Sequence, residues 1–249
     1  MRKLLQLLNQ NRAAPGRRFE IVGAADAEAT VYLYDSIVSD ALMAEWWGGV
    51  AAQDFVPALK DITAPVIHLR INSPGGDVFA AQAIAQAIKD HPSQIIAHID
   101  GLAASAASFI AIAADQVEIA SGGFFMIHNA WTVAMGNSQD MAATAELLAK
   151  VDGVLAGQYA EETGTSLDQI TAWMDAETWL TAQESIDAGF ADRIMEGAAK
   201  ANAAWNLAAY AKAPASGRHA EQIPNGDGAS NAPPTDPRFE AARRKLRAL

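Results

Sequence analysis

Between Pro65 and His128 short apolar runs of two different periodicities alternate, and no other feature of the chain constrains its fold as much. Residues 66–71 read as a strand, 77–89 as a helix, 94–99 as a strand, 105–114 as a helix, and 117–120 and 124–128 as two further strands. Strand and helix in that order predict an α/β fold with a mostly parallel sheet and right-handed crossovers. Ligands of such sheets bind beyond the carboxyl ends of the strands. Two stretches fall there, Ile71-Asn72-Ser73-Pro74-Gly75-Gly76-Asp77 and Gly101-Leu102-Ala103-Ala104-Ser105-Ala106-Ala107-Ser108.

In the first, a Pro-Gly-Gly turn lets backbone N–H groups approach a ligand with no Cβ in the way. In the second, Ser105 opens an uncharged run of small residues that reads as a buried helix, whose free N–H groups and positive dipole end favour a developing oxyanion. The pair reads as an oxyanion hole and a nucleophile. A serine hydroxyl becomes a good nucleophile only when an imidazole accepts its proton and a carboxylate fixes that imidazole's tautomer. His128 stands at a strand end beside these loops. His68 and His98 lie within strands and His91 in a turn, where structural roles are the usual ones; His219 belongs to the tail. Ser108, one turn after Ser105, reads as a packing or capping residue.

These stretches resemble the proteolytic subunit family of the Clp protease, within the Clp/crotonase superfamily. Asn-Ser-Pro-Gly-Gly at 72–76, Gly-x-Ala-Ala-Ser at 101–105, Phe-Met-Ile-His at 125–128, Thr-Gly-x-Ser-Leu-x-Gln-Ile at 163–170 and Leu-Thr-Ala-x-Glu-Ser-x-x-x-Gly-Phe-Ala-Asp at 180–192 carry the resemblance, in the family's order. Trp46-Trp47-Gly48-Gly49 and Glu177-Thr178-Trp179 look closest to the phage-encoded head maturation relatives. The resemblance implies a Clp/crotonase-like fold with a protruding handle helix, and a self-compartmentalising serine endopeptidase that cleaves unfolded or extended polypeptides through an acyl-enzyme. It implies Ser105, His128 and Glu177 as the triad, with Asp175 the alternative acid because the family usually has Asp where this chain has Glu177. It implies the backbone N–H groups of Gly76 and Ala106 as the oxyanion hole. It also implies a ring-forming homo-oligomer, with a separate ATPase unfoldase or, in the phage-type variant, capsid or scaffold proteins as partners.

Composition narrows the class further. A chain of 249 residues, 51% hydrophobic, suffices for one well-buried domain plus tails. There is no cysteine, hence no disulfide framework and no thiolate metal site. Residues 21–199 hold 24 Asp and Glu against five Lys and Arg, which leaves no basic groove for nucleic acid. The basic excess sits at the two ends and reads as solvated tails. No apolar run approaches the ~20 residues of a membrane span. The first ten residues, broken by Gln6, are too short for a signal peptide, so the expected location is cytoplasmic. Neither a P-loop nor a His-Glu-x-x-His motif is present, so no metal or cofactor is expected and any ATP dependence rests with a partner chain.

The expected organisation is an N-terminal segment at 1–20, a peptidase domain at 21–197 and a flexible basic tail at 198–249, whose residues 238–249 could form a small helix. Within the domain, 30–34 reads as the first strand, 39–47 and 51–59 as helices, and the Trp46-Trp47 pair as core. Residues 138–163 form a long helix with Met141, Leu147, Leu148, Val151, Leu155 and Tyr159 close to one stripe. Ser166 and Thr181 are candidate helix caps. A crotonase-like acyl-CoA hydratase or isomerase, which needs acid/base carboxylates, and a non-catalytic scaffold are the rival functions. A paired serine and histidine speaks against both.

Overall fold

The computed structural model describes residues 2–195 and 205–214. The chain opens with α1 (Arg2–Asn11), which buries Leu7 and Leu8, then β1 (Arg18–Val22) and β2 (Glu28–Tyr34). β3 (Ile37–Val38), α2 (Ala41–Trp47), β4 (Val50–Ala51) and α3 (Ala52–Lys60) follow. β5 (Val66–Ser73), α4 (Val78–Lys89), β6 (Gln94–Ala104), α5 (Ala106–Ala111), β7 (Gln116–Ile119) and β8 (Phe124–Ile127) realise the alternation read from sequence. The domain continues through α6 (Ser138–Thr163), α7 (Leu167–Asp175), β9 (Thr178–Thr181), α8 (Ala182–Asp187) and β10 (Arg193–Ile194).

Eight strands form the main sheet. β2, β5, β6, β7 and β10 run parallel in that spatial order, with β1 added antiparallel at the β2 edge. β6 is longer than the expected 94–99 because the chain stays extended through Gly101. Its second half pairs with β8, which pairs antiparallel with β9. A register shift on β5 between Ile71 and Ser73 marks where this split begins. Period-two alternation sends Ile67, Leu69 and Ile71 of β5 into the core. They meet Phe55 and Leu59 of α3, Ile84 and Ile88 of α4, and Phe109 and Ile110 of α5. Each such side chain contributes about 1.5–3 kcal/mol when fully buried. The other side of the same strands carries a charged row: Glu28, His68, His98, Glu118 and Arg193 lie in sequence across β2, β5, β6, β7 and β10. His68 Nδ1 lies 2.8 Å from His98 Nε2, and Arg193 Nε donates to Glu118 Oε1 at 2.8 Å. Beside it Arg70 and Tyr34 both bond Asp100.

Caps set the helix limits. Asp40 accepts from Met43 N to start α2, and Asp77 accepts from Ala80 N to start α4. Asn137 and Asp140 form a capping box for α6, which ends on Gly164 in the left-handed region. Ser166 and Thr181 cap α7 and α8 as the sequence suggested. Only the end of α6 enters the core, through Leu155, Ala156 and Tyr159; Met141, Leu147 and Val154 are exposed.

Several expectations change in the structure. The boundary placed after residue 20 falls inside β1, whose Phe19 and Ile21 pack on the core behind the breaker cluster. Trp46 is 48% exposed, so the Trp pair is not core as a unit. The helix expected at 105–114 is the shorter α5. Residues 205–214, read as flexible tail, pack against the body with Trp205, Leu207, Ala209, Tyr210 and Ala213 buried. The short helix expected at 238–249 lies outside the described residues.

Candidate active site

β6 delivers the chain to Ser105 in an unusual conformation, φ 54° and ψ −125°. A non-glycine residue held there stores roughly 1–3 kcal/mol of strain, so its surroundings must over-determine it. They do. Ser105 N donates to Met126 O of β8 at 2.9 Å. Ser105 O accepts from Ser108 Oγ at 2.6 Å, and Ser108 Oγ in turn pairs with the hydroxyl of the buried Tyr159 at 2.7 Å. Burial pushes the Tyr159 phenol far up, keeping it a neutral hydrogen-bonding group. Ser105 therefore does not cap α5 with its side chain. The hydroxyl points to His128, one residue beyond β8, with Oγ 2.8 Å from Nε2.

The Pro-Gly-Gly turn abuts the serine from the other side. A Cβ on Gly75, at φ 87°, would stand 2.4 Å from Ala104 O and 2.8 Å from Ser105 Cβ. Ile37 of β3 pairs with this turn: its N–H donates to Gly75 O and its carbonyl accepts from Asp77 N, both at 2.9 Å. In such a parallel bridge the N–H of the intervening residue, Gly76, faces the opposite edge. Gly76, Ser105 and His128 line one small cavity together. Ala106 is the first residue of α5, where the N–H has no partner within the helix. The turn itself is tied down by Ser73 Oγ, which donates to Asp35 O at 2.6 Å and accepts from Gly75 N at 3.1 Å. An adjoining cavity that shares Ser105 and His128 is walled otherwise mostly by apolar groups, among them Ala81, Phe109 and Leu155.

The acids are placed differently. Ile127 pairs with Thr178 across β8 and β9, so continuing the register sets Glu177 opposite His128. Glu177 has φ 49°, and its carboxylate accepts from Trp179 Nε1 at 3.3 Å, Ala211 N at 3.1 Å and Lys212 N at 2.6 Å. Asp175 accepts from Asn129 Nδ2 at 2.7 Å. The structure thus brings Ser105, His128 and Gly76 together, and sets Glu177 across the strand with its oxygens turned to the 205–214 segment.

Sequence reasoning missed that segment, and nothing local signals it beyond Trp205 and Tyr210 in an Ala-rich stretch. Tyr210 donates its hydroxyl to Pro74 O at 2.5 Å and sets its ring edge-on to His128, centroids 5.5 Å apart. Ser108 and Tyr159 were legible as packing residues, but not as the pair that pins the Ser105 carbonyl. Among the described residues no group of three His, Asp or Glu side chains could hold a metal ion.

Comparison with known proteins finds relatives across most of the domain. The family model for Clp protease matches residues 17–198. The chain is 30% identical over 185 residues to the ATP-dependent Clp protease proteolytic subunit 1 of Leifsonia xyli subsp. xyli, covering 70% of this chain and 92% of that protein. It is 35% identical over 151 residues to proteolytic subunit 2 of Corynebacterium diphtheriae, covering 60% and 75%. Among solved structures, a ClpP1 mutant from Listeria monocytogenes superposes with TM-score 0.58 at 26% identity, covering 68% of this chain and 91% of that one.

Proposed function

The chain belongs to the Clp protease family and is a serine-type endopeptidase, and from that premise we propose that Ser105, His128 and Glu177 are its catalytic triad. The observation that carries the assignment is the 2.8 Å contact between Ser105 Oγ and His128 Nε2 at a strained turn beside Gly75-Gly76. With Nε2 unprotonated, Ser105 donates its proton to the imidazole as Oγ attacks the carbonyl carbon of a polypeptide. The N–H groups of Gly76 and Ala106 receive the oxyanion. His128 then protonates the leaving amine, and the acyl-enzyme is hydrolysed by water deprotonated by the same imidazole. Glu177, cross-strand from His128, orients Nδ1–H when its carboxylate turns inward. Labelling by a fluorophosphonate probe, located by peptide mass, tests this: the adduct forms on Ser105, and an equally labelled Ser105→Ala protein would refute the assignment.

The working particle is a ring of several copies in the cytoplasm. The apolar groups that α6 leaves uncovered support self-association; its 26 residues span about 39 Å at 1.5 Å per residue, more than the core covers. The names of the matched relatives include the word ATP-dependent, which supports a separate ATPase partner. The Trp46-Trp47 pattern keeps a capsid protein as the phage-type variant. Leu148→Glu combined with Val151→Glu should lower the particle mass in light scattering while leaving helical content in place. An unchanged mass would place the helix outside the assembly contact.

A further inference from the structure

The segment 205–214 lies over the reacting groups and makes most of its polar contacts to them or to the loops that carry them. Trp205 Nε1 donates to Asn72 Oδ1 at 3.1 Å, at the end of the strand that leads into Gly75. Asn206 is clasped by Asn11 of α1: its N–H donates to Asn11 Oδ1 at 2.7 Å and its carbonyl accepts from Asn11 Nδ2 at 3.0 Å. Tyr210 is held by Pro74 O, lines one cavity with Ser105, and packs its ring on His128 and on Trp179. Ala211 and Lys212 then give both their N–H groups to Glu177.

Together with Leu7, Tyr210 reduces the space beside Ser105 and His128 to about 30 Å³. That is room for about one water, whereas even small-molecule ligand pockets run to roughly 300–1,000 Å³. Tyr210 lines the cavity that holds Ser105 and His128, so the segment occupies the cleft without offering a bond to cut. It also supplies donors to the carboxylate that faces the imidazole across β8 and β9.

We propose that residues 205–214 are an intramolecular strap that closes the catalytic cleft, with Tyr210 as the plug and the Ala211 and Lys212 N–H groups as a latch on Glu177. The inference rests on the assignment of Ser105, His128 and Glu177 above. Polypeptide enters when the strap lifts, and the lifting releases the Glu177 carboxylate from the Ala211 and Lys212 N–H groups. The apparent reactivity of the closed protein is its open-state reactivity scaled by the fraction of molecules open.

The test is the rate of fluorophosphonate labelling of the full chain, followed by intact mass. Tyr210→Ala removes the plug, and Ala211→Pro deletes one latch N–H at an exposed position where folding is not at stake. Both should label at least about tenfold faster than wild type, because the open fraction rises. Ser105→Ala serves as control: labelling that persists in it refutes the nucleophile assignment, independently of the strap. Labelling confined to Ser105 but no faster in either variant, at unchanged circular dichroism, overturns the strap. Slower labelling in Tyr210→Ala would likewise overturn it, by making the tyrosine a support of the site. Were Tyr210→Ala not to fold, Ala211→Pro alone decides.

Discussion

Ser105 and Glu177 are the two non-glycine residues with positive φ among the described residues, at 54° and 49°, and they are held in opposite ways. The turn at Ser105 is built from the inside: Met126, Ser108, Tyr159 and the close approach of Gly75 all belong to the core or its edge. The backbone at Glu177 is held by its near neighbour, its N–H donating to Met174 O, but its side chain is engaged from the outside by Ala211 and Lys212 of a segment farther along the chain, as well as by Trp179. Strain at the nucleophile is therefore a fixed property of the fold. The position of the acid depends on what lies across it.

The sharpest way to break this contrast is to remove the nucleophile and base. Ser105→Ala and His128→Ala should each lower peptide hydrolysis by roughly 10⁴-fold or more with the fold intact, since such residues act as a unit. Retained hydrolysis in purified Ser105→Ala, free of contaminating protease, would end the argument. Next comes the acid: Glu177→Gln should cost on the order of 10²-fold in kcat or more, and Asp175→Asn less than about tenfold, because only Glu177 is cross-strand from His128. The reverse ranking moves the role to Asp175. The smallest effect concerns strain alone. Ser105→Gly should be more stable than Ser105→Ala by about 1–2 kcal/mol in urea unfolding, since glycine tolerates this φ and alanine does not. Equal stabilities would mean that the turn relaxes once the hydroxyl is gone.

What the sequence made legible follows from how local each signal is. The strands and helices between residues 66 and 127 were readable to within a few residues, because periodicity is written in neighbours, and α6 was bounded by its own capping residues and Gly164. Ser105, His128 and Gly76 could be singled out because a Pro-Gly-Gly turn, a charge-free helix start and a strand end carry chemistry in their local pattern, and because the motifs around them resemble those of the Clp protease family in order. The remainder depends on partners distant in the chain. β3 and β4, two residues each, exist because they pair with each other, and Ile37 additionally docks on the Gly75-Gly76 turn. β1 does alternate Phe19 and Ile21 with Arg18 and Glu20, but its pattern sits behind a breaker cluster that suggests an interruption. Packing of Trp205 and Tyr210 on Leu7 and Met126 joins segments far apart in the chain, and no local periodicity encodes it.

The charged row across the sheet has a consequence in protons. His98 is nearly buried between His68 and Glu118, with Nδ1 3.2 Å from Glu118 Oε2 but not aligned for a hydrogen bond. Burial lowers its proton affinity below the ordinary histidine value, the nearby His68 and Arg70 act in the same direction, and Glu118 and Asp100 only partly oppose them. Because folding depresses this pKa, the unfolded chain binds more protons than the folded one as the pH falls through the unfolded value of about 6.5. The neutral imidazole's contribution to stability is thus complete above that pH and is lost on acidification, so the melting temperature should fall between pH 7 and pH 5.5, with a shallower fall in His98→Gln. Mild acid would then loosen the sheet from its polar side, at the middle of the strands whose far ends lead to the serine.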